Sequence, residues 1–306
     1  MPFLDGHSFG ELFHEFLNNT DDMYKRILYG LCLVTLLAAC QEEFQEGAEE
    51  FVVEGWIESG GNPVVILSRA FTVATKEETD EEKSVVLSWS KVTVSDGEQE
   101  VILTGDYDER YFPPYIYTTS RMKGVPGRTY SLTVEAEGRT MTAQTTIPMP
   151  DSLEALAVAP CSEADTLFQI TAYYEDNPEA KDYYMFLTRI FNKETRYYPS
   201  FLGVIDDERL GLHNQQVVQP GMHYFTVEGY KYRPYYHETD SVLIKFAKID
   251  ETTYDIYKAY NELVALSHNP VFPSDISIPS NIQGGLGYWC GYGVTKYSVV
   301  IADSIK

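Results

Sequence analysis

Short apolar runs that alternate with polar residues dominate the chain after residue 50. Leu132, Val134 and Ala136, for example, alternate with polar residues, and glycine-containing turns separate such runs. A period of two is typical of strands that bury one face. The pattern predicts strands over residues 51–58, 63–71, 84–88, 91–95, 99–104, 129–136, 140–147, 167–174, 183–191, 223–229, 241–249 and 293–302.

One stretch, residues 251–268, has the period of a helix instead. Its apolar residues recur three or four positions apart, which places them on one helical face. Asp250 is a suitable N-terminal cap, and Asn269 followed by Pro270 is a stop signal. The predicted apolar face holds Ile256, Tyr257, Tyr260, Leu263 and Val264.

These elements predict an all-β fold, mainly β with one helix. We expect residues 51–148 to form an immunoglobulin-like β-sandwich and residues 161–306 to form a second β-rich domain that carries the helix. Prolines bracket residues 149–160, which we interpret as a linker. Residues 107–117 contain paired prolines and are predicted to form an aromatic loop or an edge strand.

The N-terminal region has the pattern of a lipoprotein signal. Lys25 and Arg26 precede an apolar run that is shorter than the roughly 20 residues needed to span a membrane. The run ends in Leu-Ala-Ala-Cys at residues 37–40, which is a bacterial lipobox. Residues 23–39 are therefore predicted to be a signal peptide, and Cys40 is predicted to be the lipidated first residue of the mature chain.

Two segments flank this signal. Residues 1–22 are acidic where a signal peptide is basic, and we interpret them as an extension that precedes the true start at Met23. An amphipathic extension with a role of its own is the alternative. Residues 40–50 are acidic and lack a hydrophobic period, which predicts a flexible tether.

Charge and cysteine content narrow the classes of function. The formal net charge of −23 disfavours nucleic acid as a partner, because an acidic surface repels phosphate groups. Cys161 and Cys290 are the thiols that remain once the signal peptide is removed and Cys40 is acylated. They either pair in a disulfide or stay as separate buried thiols, and the spacing does not decide between these alternatives.

Two tyrosine-rich segments interrupted by proline are the candidate ligand-binding surface. Tyrosine offers rigid contact area with a hydrogen-bonding tip and loses little entropy on binding. Closing the ends of β-sandwiches is the alternative role for these rings. The candidates are Tyr111, Phe112, Tyr115, Tyr117, Tyr230, Tyr232, Tyr235 and Tyr236.

Catalytic and cofactor motifs do not occur from Cys40 onward. The mature sequence has no G-x-S-x-G, H-E-x-x-H or C-x-x-C, so we predict no catalytic residue, no metal site and no cofactor. Residues 281–287 are rich in glycine, but a strand-like run follows them where a nucleotide loop requires a helix. We interpret them as a turn or bulge that leads into the last strand.

Several segments together resemble one known family. The lipobox, FVVEGWIESGGNPVVILSRAF at 51–71, GRTYSLTVEAEGRTMTAQTTIP at 127–148 and FPSDISIPSNIQGGLGYWCGYGV at 272–294 are similar to the Bacteroidetes lipoprotein family called domain of unknown function 4249. The resemblance implies an outer-membrane lipoprotein, often encoded beside a TonB-dependent receptor. It supplies no catalytic residues. The acidic residues after Cys40 also resemble signals that export such lipoproteins to the cell surface.

The leading hypothesis is therefore a non-enzymatic lipoprotein, anchored in the outer membrane or exposed at the cell surface. It would bind a ligand or act as an accessory component of a TonB-dependent uptake system, with the receptor as its partner. One alternative is a surface hydrolase acting on glycan or peptide, which requires His223 or His237 beside a carboxylate. Another is an adhesin or envelope scaffold.

Overall fold

The structure is a computed structural model, and it describes residues 50–70, 87, 89–162, 164, 166–175, 180–206, 213–222, 232–266 and 277–304. The predictions for residues 1–49, including the lipidation of Cys40, lie outside the described residues, as does the predicted strand 223–229. Of the predicted strand 84–88 only Leu87 is described. Residues Glu49–Lys306 form one compact unit. Among the described helices, none has the length and apolar character needed to cross a membrane.

The fold is mainly β, as the alternating pattern predicted. The described helices are α1 (Glu251–Leu266) and α2 (Ile301–Ser304). The described strands are β1 (Glu50–Glu58), β2 (Val64–Ala70), β3 (Lys91–Ser95), β4 (Glu100–Ile102), β5 (Thr104–Tyr107), β6 (Tyr115–Thr118), β7 (Thr129–Ala136), β8 (Arg139–Thr146), β9 (Ala155–Pro160), β10 (Leu167–Glu175), β11 (Tyr183–Ile190), β12 (Tyr198–Asp206), β13 (His213–Val218), β14 (Tyr236–His237), β15 (Ser241–Ile249) and β16 (Leu286–Val300).

The described strands form three sheets. The largest has eight strands in the order β12-β11-β15-β16-β1-β2-β6-β5. A four-stranded sheet has the order β4-β3-β7-β8, and in the other four-stranded sheet β10 pairs with β9, β13 and β14. β1 and β16 lie at the centre of the large sheet and run parallel, with Gly55 opposite Trp289.

The large sheet buries both of its faces. On one face, β1 and β2 pack against β3, β7 and β8 and form the N-terminal core, which includes Val53, Leu132 and Trp289. Further along the same face, β11 and β15 form the C-terminal core with β10, which includes Phe186 and Phe246. A third cluster on the opposite face joins β11, β15 and β16 to α1. The central strands are therefore covered on both sides.

The prediction that residues 149–160 form a linker was wrong for residues 155–160. Residues 155–160 form β9, which pairs with β10 in antiparallel register. Proline suits this strand because β9 pairs on one side only, so the missing N–H of Pro160 breaks no second ladder. Proline content alone therefore did not distinguish a linker from an edge strand.

The predicted sandwich is not confined to residues 51–148, and its immunoglobulin-like topology is not confirmed. β16, from the far end of the sequence, pairs with β1 and inserts Trp289 into the N-terminal core. The large sheet thus takes strands from both predicted domains. Residues 107–117 were predicted to form an aromatic loop or an edge strand. Residues 108–114 form a loop, Tyr107 ends the outermost strand β5, and residues 115–117 lie in β6, which pairs with both β5 and β2.

Cys161 and Cys290 are both buried and both free, so the disulfide alternative was wrong. Cys161 lies before β10, where its Sγ is 3.6 Å from the carbonyl oxygen of Ala164. Cys290 lies within β16, in the cluster beneath α1. Burial raises the pKa of the Cys290 thiol to about 12, which keeps it protonated and unreactive.

Candidate functional site

A cavity of about 690 Å³ lies between the large sheet and α1, on the face opposite the N-terminal core. Its volume is in the range of sites that bind small molecules. Strands β1 and β16 form its floor, and α1 forms one wall. Aromatic side chains dominate the lining and include Trp56, Tyr111, Tyr198, Tyr257, Tyr260 and Tyr288.

The floor of the cavity follows from the alternation of β1. Val52, Glu54, Trp56 and Glu58 line the cavity, while the residues between them are buried in the N-terminal core. Because successive side chains of a strand point to opposite faces, a single strand serves both regions. The alternation is visible in the sequence FVVEGWIE. By itself, however, it predicts a strand with one face in the core and the other in solvent, and not a face that borders a cavity.

Strand β16 shows the same division, with glycine on its core face. A Cβ atom on Gly291 would lie 2.7 Å from the carbonyl oxygen of Thr146, and one on Gly293 would lie 2.3 Å from that of Pro148. Glycine is thus required where the two backbones meet. Gly284 and Gly287 have φ of 84° and 107°, which agrees with the interpretation of residues 281–287 as a turn that leads into the last strand.

The wall formed by α1 is the apolar face that the sequence predicted. Ile256, Tyr257, Tyr260 and Leu263 all line the cavity, whereas the side chain of Val264 lies outside the described residues. The predicted cap is confirmed, because the backbone N–H of Thr253 donates to Asp250 Oδ1 at 2.8 Å.

Tyrosine hydroxyls join the wall to the floor. The hydroxyls of Tyr257 and Tyr292 are 2.9 Å apart and share a hydrogen bond. Tyr288 donates to Glu54 Oε2 at 3.3 Å. Burial raises the pKa of Tyr260 to about 12 and raises the pKa of Tyr257 further, so both hydroxyls are neutral. The wall therefore presents neutral polar groups on an apolar surface.

The two carboxylates of the lining differ in environment. Burial raises the pKa of Glu54, and the hydrogen bond from Tyr288 and the charge of Arg196 oppose this shift without reversing it. Glu58 forms salt bridges with Lys245 and, at 3.2 Å, with Lys296. Burial lowers the pKa of Lys245 although Glu58 opposes that shift. Glu58 and Lys245 thus largely neutralise one another.

Arginines in the lining stack on tyrosines. The guanidinium of Arg196 lies 4.7 Å from the ring centroid of Tyr198 and 5.0 Å from that of Tyr111. The guanidinium of Arg189 lies 5.5 Å from the ring centroid of Tyr197. The Nε atoms of both arginines are buried and have no hydrogen-bond partner within the described part of the chain. Such groups are costly unless a partner arrives.

Two of the predicted ligand-binding residues line this cavity. Tyr111 contacts Trp56 with ring centroids 6.0 Å apart, and Phe112 lies beside it with about half of its surface exposed. Both precede β6 in the proline-interrupted segment. The proline-interrupted segment therefore contributes to the cavity lining, and ligand binding by its residues stays a prediction.

The other described candidates do not line the cavity. Tyr117 is buried in the N-terminal core, where its hydroxyl donates to the Leu87 carbonyl at 2.8 Å, and Tyr115 packs against the same core. Tyr236 is fully buried in the C-terminal core. Tyr232 donates to Gln219 Oε1 at 2.9 Å. Tyr235 is half-buried and absent from the cavity lining, and Tyr230 lies outside the described residues.

The residues that the prediction missed are mainly those on β1, β11, β12 and β16. Trp56, Arg189, Tyr198 and Tyr288 line the cavity, and none lies in either of the two tyrosine-rich segments selected from the sequence. The available signal was local to β16: GYWCGYG at 287–293 carries large side chains on both faces, which is typical of a strand covered on both sides.

Histidine and carboxylate groups elsewhere give little support to hydrolysis. The backbone N–H of His237 donates to Asp240 Oδ2 at 3.0 Å, while its ring has no carboxylate partner within the described ranges. His223 lies outside those ranges. Glu154, Glu175 and His213 place ligand atoms within 4.8 Å of one another, but all three are exposed, as surface charges commonly are.

A search of curated proteins finds no match to the chain. The family described as Domain of unknown function (DUF4249) matches residues 41–298. That range contains every residue that lines the cavity. The chain therefore belongs to the DUF4249 family, as its sequence motifs indicated.

Proposed function

We propose that the protein is a non-enzymatic lipoprotein of the outer membrane or cell surface that binds a small ligand and serves a TonB-dependent uptake system. The cavity between the large sheet and α1 is the observation that carries the binding function. The lipobox at Cys40 supports the lipid anchor. The resemblance to Bacteroidetes lipoproteins supports the association with a TonB-dependent receptor.

The chemistry of the cavity favours binding over catalysis. The hydroxyls of Tyr257 and Tyr260 are neutral, and the partly buried pair of Glu58 and Lys245 is engaged in a salt bridge. Catalysis by a nucleophile requires a base within hydrogen-bond reach and a third group that orients it. Aromatic rings with scattered polar tips instead give contact area and orientation, as in sites that recognise ligands without transforming them.

A titration with N-phenyl-1-naphthylamine, a neutral aromatic dye, tests the binding function. All described strands, helices and cores lie in Glu49–Lys306, so a chain that begins at Gln41 keeps the cavity and needs no detergent. We expect saturable binding with one site per chain. Val52→Trp, on the cavity floor, should weaken dye binding by about tenfold or more because the new ring occupies the site.

Val217→Trp is the matched control. Val217 is also a half-buried strand valine, but it lies in β13 and does not line the cavity, so this variant should bind the dye like the parent chain. Equal affinity in both variants would show that the dye does not enter the cavity. No saturable binding to the parent chain would contradict the binding function itself.

A separate experiment tests the receptor. The tagged lipoprotein is purified in mild detergent from its own cells, and mass spectrometry identifies the proteins that remain bound. We expect a TonB-dependent receptor. A Cys40→Ser variant cannot take the lipid and should lose that partner. Recovery of the lipidated protein without any such receptor would contradict this part of the proposal.

A further inference from the structure

We propose that the ligand of the cavity is an organic anion, with a carboxylate, phosphate or sulfonate group held by Arg189 and Arg196. Its body is apolar or aromatic and packs on the tyrosines of the lining. This inference rests on the proposed function, because it names the class of ligand for the same cavity.

The cavity is a positively charged region of a strongly acidic protein. The chain has a formal net charge of −23, yet among the described residues of the lining four are cations and two are carboxylates: Arg110, Arg189, Arg196 and Lys245 against Glu54 and Glu58. Burial shifts Glu54 toward its neutral form. Glu58 already pairs with two lysines. An anion that enters the cavity therefore meets an excess of positive charge.

Arg189 and Arg196 are the lining cations available to such an anion. Arg110 is engaged, because its Nε and Nη2 atoms donate to the carboxylate of Asp108. Within the described residues, neither Arg189 nor Arg196 forms a salt bridge, and the Nε of each is buried without an acceptor. A buried donor without a partner is costly, and an anion would supply the missing acceptor.

The tyrosines hold these guanidinium groups in place. Arg196 stacks between Tyr198 and Tyr111, and Arg189 stacks on Tyr197. A cation–π contact restrains a guanidinium without using its N–H groups as donors, and these N–H groups can form paired hydrogen bonds with carboxylate or phosphate. The arrangement therefore offers anionic recognition directly beside an aromatic surface.

Two dyes with similar apolar bodies test the class of ligand. 1-Anilino-8-naphthalenesulfonate carries a sulfonate, and N-phenyl-1-naphthylamine does not. With the chain that begins at Gln41, we expect the sulfonate dye to bind at least tenfold more tightly. In the double variant Arg189→Gln, Arg196→Gln its affinity should fall roughly 100-fold, while that of the neutral dye changes less than about twofold.

Arg121→Gln is the matched control for charge. Arg121 is exposed and does not line the cavity, so its replacement removes a positive charge without altering the site. The sulfonate dye should bind this variant like the parent chain. Equal loss of affinity in Arg121→Gln and in the double variant would contradict a local role for the two arginines.

Competition in the parent chain does not depend on the folding of any variant. We expect 2-naphthoate to displace the sulfonate dye at a concentration where 2-naphthamide, its neutral counterpart, does not. Equal displacement by both compounds, or equal affinity of the parent chain for both dyes, would overturn the anionic class while leaving the binding function intact. Binding of neither dye would overturn the binding function as well.

Discussion

The two faces of the central strands differ in how completely they are packed. On one face, the glycines of β16 and the fully buried Trp289 pack against β8 and the N-terminal core without remaining space. On the other face, Glu54, Trp56 and Tyr288 of the same strands border a cavity of about 690 Å³. The comparison indicates that one pair of strands packs a core on one face and borders a cavity on the other, so the two faces can be altered separately.

The largest expected effect is that of Trp289→Ala on stability. The side chain is fully buried, and its Nε1 donates to the Tyr130 carbonyl at 3.0 Å. Truncation leaves a void and an acceptor without its donor, and should lower the free energy of unfolding by about 3–5 kcal/mol. Urea denaturation measures this change. A loss below about 1 kcal/mol would show that the core face does not carry the stability.

Gly291→Ala should destabilise the protein less. Its Cβ would lie 2.7 Å from the carbonyl oxygen of Thr146, and backbone atoms cannot rotate away as a side chain does. We expect the free energy of unfolding to fall by about 1–3 kcal/mol. Val300→Ala is a control on the same strand. Because Val300 is 43% exposed, its replacement should lower the free energy of unfolding by less than that of Gly291. Similar losses in both variants would argue against close backbone packing.

Trp56→Ala probes the cavity face. Trp56 is half-buried and contacts Tyr111 across the cavity, so its loss should lower the free energy of unfolding by only about 1 kcal/mol. Affinity for the neutral dye should nevertheless fall by about tenfold. Denaturation and dye titration on the same preparation separate the two effects. A loss of stability as large as that of Trp289→Ala would contradict the view that the core face contributes more to stability than the cavity face.

Glu54→Gln gives the smallest expected change and depends on pH. Burial raises the pKa of Glu54 above its ordinary value of 4.5, so ionisation is less favourable in the folded protein than in the unfolded chain. The stability that the protonated carboxyl contributes is full below that value and is lost as the pH rises through the folded-state pKa.

Glutamine stays neutral and still accepts the hydrogen bond from Tyr288, so the variant should be more stable than the parent at pH 7 by up to about 1 kcal/mol. The difference should disappear near pH 4. Thermal unfolding across this pH range measures it. A variant that is less stable at pH 7 would show that ionised Glu54 is well compensated in the cavity.

Local patterns predicted the elements but only part of the site. The strands over Lys91–Ser95 and Ser241–Ile249 have the predicted bounds, and the apolar face of α1 is the predicted face, because each depends on neighbouring residues alone. Tyr111 and Phe112 were found through tyrosine and proline content. The other described candidates, Tyr115, Tyr117, Tyr232, Tyr235 and Tyr236, do not line the cavity, because tyrosine content does not distinguish a ligand surface from a core.

By itself, the sequence determined the mainly β character, the capped helix, the family and the lipobox prediction, since all of these are local or compositional. The tertiary structure decided that β16 lies beside β1 in parallel register, which brings Tyr288 next to Glu54 from 234 positions away. It also decided that Arg189 and Arg196 line the same cavity and, within the described residues, form no salt bridge. Periodicity identifies the face on which a side chain lies, but the pairing of distant strands determines what that face encloses.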